Sequence, residues 1–168
     1  MDFTIASILT LDGVTNGAVY ALLGLATVLV FTVTRVIFIP QGEFVAYGAL
    51  TLSMLQAGKV PGTVWLLMLL TGVACLMECW AQWQHRRNLL ASLRAGIKML
   101  IPPMAIALLT LWAAPQNLSM LVQALLSVAV VGAFGPLIYR VAYQSLESAS
   151  SLVLLIVSVG VHLSLIHI

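Results

Sequence analysis

Charged residues are scarce in this chain: 7% of its 168 residues are Asp, Glu, Lys or Arg, whereas soluble domains are about one quarter charged. Hydrophobic residues make up 62% of the chain, and the mean hydropathy is +1.12. This balance excludes an ordinary soluble domain and predicts an integral membrane protein. The net charge of +2 is also too small to indicate nucleic-acid binding.

The chain also has few cysteines and lacks the common catalytic motifs. Cys75 and Cys79 lie four residues apart in an apolar run, a spacing typical of helix packing and not of a disulfide framework. Glu78 and His85 are nearby metal-ligand types, but cysteines at lipid depth argue against a metal site. The chain has no GxxxxGK[ST] phosphate loop and no nucleophile with a base and an orienting partner. We therefore expect no cofactor, no metal and no catalytic residue.

Long uncharged runs predict an all-α, polytopic membrane protein. A hydrocarbon core of about 30 Å needs about 20 helical residues. About six transmembrane helices are predicted, at residues 13–34, 36–56, 60–77, 97–113, 118–139 and from 151 onward. Residues 88–98 are predicted to form a short surface helix or loop, and residues 140–150 a polar loop. The sixth run is still apolar at Ile168, so we expect one transmembrane domain over residues 1–168, incomplete at its C-terminal end.

The first predicted span has a face of small residues, which lets another helix approach closely. This face consists of Gly13, Gly17, Ala21 and Gly24. Asn16 and Tyr20 lie beside it. Hydrogen bonding across a helix bundle is the favoured role for these two residues, and contact with a solute in a translocation pathway is the alternative.

The most unusual stretch runs from Arg35 to Gly48, where Pro40, Gln41, Gly42 and Glu43 interrupt apolar sequence. A proline has no N–H, so the second span is predicted to be broken near Pro40 and to restart at Pro40 or Gln41. Broken helices at membrane depth are tolerated where they are buried in protein or line a water-filled cavity.

This interruption makes Gln41, Gly42 and Glu43 candidates for a translocation pathway or gate. The carboxylate of Glu43 would lie in the first turn of the new helix, where the helix dipole favours negative charge. The alternative is a structural role, in which Glu43 lies near the membrane interface and pairs with Arg35 or water.

Basic residues predict the orientation. An outside, periplasmic N-terminus places only Lys59 outside and all the other basic residues in cytoplasmic connections, namely Arg35, Arg86, Arg87, Arg94, Lys98 and Arg140.

Four motifs together resemble the permease family of branched-chain amino acid ABC importers, the LivH type. They are NGAVYAL at residues 16–22, Gly42-Glu43-Phe44 followed by Gly48, Tyr139-Arg140, and LIVSVG at residues 155–160. The chain departs from the family at residues 38–41, which read FIPQ where family members carry Asn-Phe-Ala-His.

The resemblance implies a permease subunit in the bacterial inner membrane. Its implied partners are a second permease, two cytoplasmic ATPase subunits and a periplasmic binding protein, besides membrane lipid. The implied solute is a branched-chain amino acid or a related small amino acid or amide. Two other functions remain open: a secondary carrier or channel with Glu43 as its proton or cation site, and a noncatalytic membrane scaffold.

Gly17→Leu should disrupt association with other helices, because it places a bulky side chain where close approach is predicted. Blue-native electrophoresis of the assembled complex measures this effect. Unaltered assembly would refute a packing role for this face.

Overall fold

The computed structural model describes residues 3–84, 89–116, 118–146 and 148–167, and the regular elements in these ranges are all helical. Six α-helices follow one another: α1 Phe3–Thr34, α2 Gln41–Gln56, α3 Gly62–Gln84, α4 Leu89–Ala113, α5 Met120–Ile138 and α6 Ser151–Ile166. A 3-10 turn at Ala114–Gln116 follows α4. After α5 come a π-helical turn at Tyr139–Tyr143 and a 3-10 turn at Gln144–Leu146.

Within the described ranges, four helical stretches are long and apolar enough to cross a membrane. They are Phe3–Thr34, Gly62–Ala81, Met99–Gln116 and Met120–Leu146. The all-α fold and its membrane-helix character are therefore confirmed. Helices α2 and α6 have 16 residues each, fewer than the roughly 20 that a perpendicular crossing needs. Six crossings, with the second broken near Pro40, stay a prediction.

Two of the predicted connections differ from the structure. Residues 89–98 are helical, which is one of the two predicted alternatives, but they are not a separate element, because α4 starts at Leu89 and continues through Pro102 and Pro103. Prolines are tolerated inside membrane helices where neighbouring groups compensate for the lost hydrogen bonds. The loop predicted from Arg140 begins only after Leu146, since the chain stays helical through the π turn.

The predicted orientation also stays a prediction. Arg86 and Arg87 lie outside the described residues, as do Asn88 and Glu147. Lys59, the one basic residue predicted to lie outside the cell, is exposed between α2 and α3.

The chain divides into two compact units. One comprises residues 1–41 and 149–168, and so contains α1, the segment after it and α6. The other comprises residues 42–148, from the first turn of α2 to the 3-10 turn after α5.

Polar groups join the helices of the second unit. The hydroxyl of Ser127 on α5 donates to the carbonyl of Gly48 on α2 (2.7 Å), and Gln123 Nε2 donates to the carbonyl of Leu55 at 3.5 Å. Thr51 and Thr63, both buried, share a hydrogen bond of 2.7 Å between α2 and α3. Such bonds between membrane helices contribute about 0.6 kcal/mol each on average.

An aromatic cluster packs α2 on α5. Phe134 is 1% exposed, and its ring lies edge-on to Phe44 with 6.3 Å between centroids. The ring of Tyr47 lies 5.9 Å from the same ring. Phe44 and Tyr47 are three residues apart, so both rings project from one face of α2. This contact and the hydrogen bonds at Gly48 and Leu55 hold α2 along α5.

Phe134→Ala should destabilise the protein by at least about 2 kcal/mol more than Leu125→Ala, because burial determines the cost of a cavity. Leu125 lies on the same helix but is 70% exposed. Equilibrium unfolding in mixed detergent micelles measures both variants. Equal losses of stability would contradict this description of the core.

Candidate functional site

The segment between α1 and α2, residues 35–40, is not α-helical, and we call it the helix break. α1 ends at Thr34, and Arg35 adopts a left-handed backbone conformation with φ 56°. A positive φ is uncommon for residues other than glycine and turns the chain sharply. The Thr34 hydroxyl accepts a hydrogen bond from the backbone N–H of Val36 at 3.2 Å. One backbone donor just beyond the helix end therefore has a partner.

The helix break is partly buried and is bound to α6. Val36 is 6% exposed and Pro40 less than 2%. The backbone N–H of Ile39 donates to the hydroxyl of Ser158 on α6 at 2.9 Å, and Ser158 is fully buried. The same N–H also donates to the carbonyl of Ile37 at 3.1 Å. A donor that lacks a helical partner is therefore shared between a local carbonyl and a side chain 119 residues away in sequence.

Gln41 binds the end of the helix break to α1. Its Nε2 donates to the backbone carbonyl of Leu23 at 2.8 Å, and the hydroxyl of Thr27 donates to its Oε1. Both polar ends of the amide are thus occupied by α1. Gln41 thus joins the start of α2 to α1, and a pathway role for this residue stays a prediction.

Gly42 and Glu43 follow in the first turn of α2 and belong to the second unit. Glu43 is half-buried. Gly42 is exposed, and a Cβ built on it would meet no atom within 4 Å. There is open space beside Gly42, and the carboxylate of Glu43 lies at the start of a helix. Both observations are compatible with either role considered for Glu43, in a pathway or as a structural group at a helix end.

The predicted residues of α1 face outward. Asn16 is exposed and Tyr20 is 74% exposed. The small-residue face is exposed as well, and a Cβ built on Gly13, Gly17 or Gly24 would meet no atom within 4 Å. Ala21 shares this exposure. A packing role for the face therefore stays a prediction that concerns a partner outside the described chain, as does a pathway role for Asn16 and Tyr20.

Sequence reasoning missed Thr27 and Ser158 as partners of the helix break. Each is a lone hydroxyl in an apolar run, and nothing local distinguishes it from hydroxyls that bond to their own helix. Ser158 does lie within the LIVSVG motif. That motif was the one available signal, although it gave no role to the serine.

The ion pair between Arg140 and Glu78 was also missed. Arg140 Nη2 lies 2.7 Å from Glu78 Oε2 and joins the π-helical turn to α3. Two opposite charges at the margins of separate apolar runs are a signal that could have suggested this pairing.

The residues around Cys75 and Cys79 do not change the expectation that the chain has no metal site. Cys75 is half-buried and Cys79 exposed, and His85 lies outside the described residues. Within the described ranges, no three His, Cys, Asp or Glu residues come close enough together to hold a metal ion. The expectation of no metal and no cofactor stays an expectation.

Comparisons of the chain with protein-family models, with curated proteins and with solved structures find no match. The resemblance to amino acid importer permeases therefore depends on the four motifs alone. Of these motifs, the Gly42-Glu43-Phe44 element begins directly after the helix break, and LIVSVG contains Ser158, which binds it.

Ser158→Ala should loosen the helix break. It removes the side-chain acceptor of the Ile39 N–H and leaves only the 3.1 Å bond to the carbonyl of Ile37, which costs about 0.5–1.5 kcal/mol. We expect hydrogen exchange of the Ile39 amide to rise about threefold to tenfold, read by mass spectrometry of peptides covering residues 35–41. Ser151→Ala, at an exposed position of the same helix, is the control. Similar exchange in both variants would show that Ser158 does not hold the segment.

Proposed function

We propose that this chain is a membrane-spanning permease subunit of an ABC importer and forms part of its translocation pathway. The proposed solute is a branched-chain amino acid or a related small amino acid or amide. The observation that carries the proposal is the helix break, which Gln41 binds to α1 and Ser158 binds to α6. The motif resemblance supplies the transporter class and the solute.

A helix break of this kind supports transport for a physical reason. Backbone groups that leave a helix in an apolar medium each cost several kcal/mol unless they find partners. A chain with a merely structural purpose avoids this cost by continuing the helix. In membrane transporters, interrupted helices expose helix ends to the solute, and their polar partners can exchange during the transport cycle.

The position of Glu43 favours the same proposal. An ionisable residue within a membrane segment is costly and usually faces a cavity, a partner or a pathway. Here the carboxylate lies in the first turn of the helix that starts directly after Pro40. We propose that Gly42 and Glu43 line the pathway, and that Pro40 interrupts the second of six crossings.

The proposal assigns ATP hydrolysis to separate subunits, so this chain is a transport subunit and not an enzyme. Two cytoplasmic ATPase subunits, a second permease and a periplasmic binding protein complete the proposed assembly in the bacterial inner membrane. The N-terminus is proposed to be periplasmic, as the distribution of basic residues indicates. Energy would then reach the pathway as movement of whole helices.

Glu43→Gln should lower the uptake rate about tenfold, equivalent to about 1.4 kcal/mol in the barrier, because it removes the charge and keeps the shape. Uptake of radiolabelled leucine, isoleucine and valine into proteoliposomes that contain the complete transporter measures this. Glu43→Asp, which retains the carboxylate, is the matched control and should keep more of the activity. Both variants should insert into membranes normally.

The same vesicles separate the three functions. The importer proposal requires uptake that depends on ATP and on the ATPase subunits and that resists a protonophore. Uptake that collapses with the proton gradient would favour a carrier that uses Glu43. Normal uptake by Glu43→Gln would remove Glu43 from the pathway and favour a scaffold role for this chain.

A further inference from the structure

An apolar groove lies between α4 and α5, and both of its walls belong to the second unit. Its volume is about 450 Å³. Met99, Pro103 and Ile106 form the α4 wall. We call this feature the α4–α5 groove; the proposed pathway residues do not line it.

The groove is elongated. One wall begins at Ala129 on α5, passes Gly132 and Pro136, and ends at Arg140 in the π-helical turn. The eleven steps from Ala129 to Arg140, at about 1.5 Å each, give a length of about 16 Å along the helix. Small side chains on α5 leave room beside the larger residues of α4. This shape suits an extended chain better than a compact solute.

Arg140 closes one end of the groove and is the one charged residue among the described residues that line it. Its Nη2 bonds to Glu78 at 2.7 Å, and its side chain remains one third exposed. A guanidinium has five N–H donors, so one carboxylate contact leaves others available. The side chain is one third exposed, so the remaining N–H donors of its exposed part can bind a second anionic group.

We propose that the α4–α5 groove binds one anionic phospholipid. An acyl chain lies along the apolar walls, and the phosphate accepts hydrogen bonds from Arg140. Charge complementarity selects an anionic headgroup, and basic pockets between membrane helices are known to recognise such headgroups. The proposal depends on the membrane character of the helices and does not depend on the proposed transport function.

Native mass spectrometry of the full chain in detergent tests the headgroup. We expect about fivefold greater retention of phosphatidylglycerol than of phosphatidylcholine with the same acyl chains. The double variant Glu78→Gln/Arg140→Gln, which leaves no single buried charge, should lose this preference. Equal retention of the two lipids by the unmodified chain, or an unchanged preference in the double variant, would overturn the proposal.

Two glycine variants test the acyl-chain site. A Cβ built on Gly132 or on Gly135 meets no atom within 4 Å, so the first atom of an added side chain fits at both positions. Only Gly132 lines the groove. Gly132→Leu should reduce phosphatidylglycerol retention about fivefold, and Gly135→Leu should leave it unchanged. Equal retention in the two variants would contradict the site.

Two further outcomes would replace the lipid with another occupant. Displacement of phosphatidylglycerol by millimolar inorganic phosphate would show a simple anion site at Arg140. Dissociation of an oligomer by Gly132→Leu, but not by Gly135→Leu, would show that another protein helix covers the groove. Resistance to phosphate and an unchanged oligomeric state support the lipid.

Discussion

The constraint on which this structure depends is the hydrogen bonding of backbone groups in apolar surroundings. A continuous helix satisfies its own amides and carbonyls, and the described helices do so over most of the chain. The helix break is the exception within the first unit. It is retained because Gln41, Thr27 and Ser158 supply the polar partners that a helix would otherwise provide. A small number of hydrogen bonds therefore permits an irregular segment between long apolar helices.

The same side-chain types perform two different roles in this protein. On α1, Thr10 and Thr15 donate to carbonyls four residues earlier, so their hydroxyls are satisfied within the helix and can face lipid. Ser127 and Ser158 instead bind groups on other segments. A hydroxyl that bonds locally requires nothing from the rest of the fold, whereas one that bonds across segments determines which segments lie together.

At the end of α5, a charged side chain is likewise paired with a group on another segment. Arg140 would be expected to mark the end of a membrane helix, yet the chain remains helical to Leu146. Glu78 neutralises part of the cost of its charge at the margin of the apolar core. The π turn that carries Arg140 also stacks Tyr139 on Tyr143, with 6.4 Å between ring centroids. Because Arg140 is paired with Glu78, the polar sequence after α5 can remain helical where a loop was predicted.

The helix break is held by a few hydrogen bonds, and this small number is relevant to the proposed function. If the helix break lines a pathway, the segment can move by exchanging the Ile39–Ser158 bond and the two Gln41 contacts, without loss of the apolar core around Phe134. The break and that core lie in different units of the chain. A rigid packed region and a segment held by a few polar bonds are the two elements that a conformational cycle needs.

The amino-acid sequence by itself determined the all-helical membrane class, because composition and long uncharged runs act locally on every segment. The unusual chemistry around Pro40 was also visible locally, since a proline removes a donor wherever it stands. Only the tertiary structure decided that Ser158 binds Ile39 across 119 residues and that Arg140 binds Glu78 across 62. A partner's distance in space is a property of the whole packed chain, and no spacing within one helix encodes it.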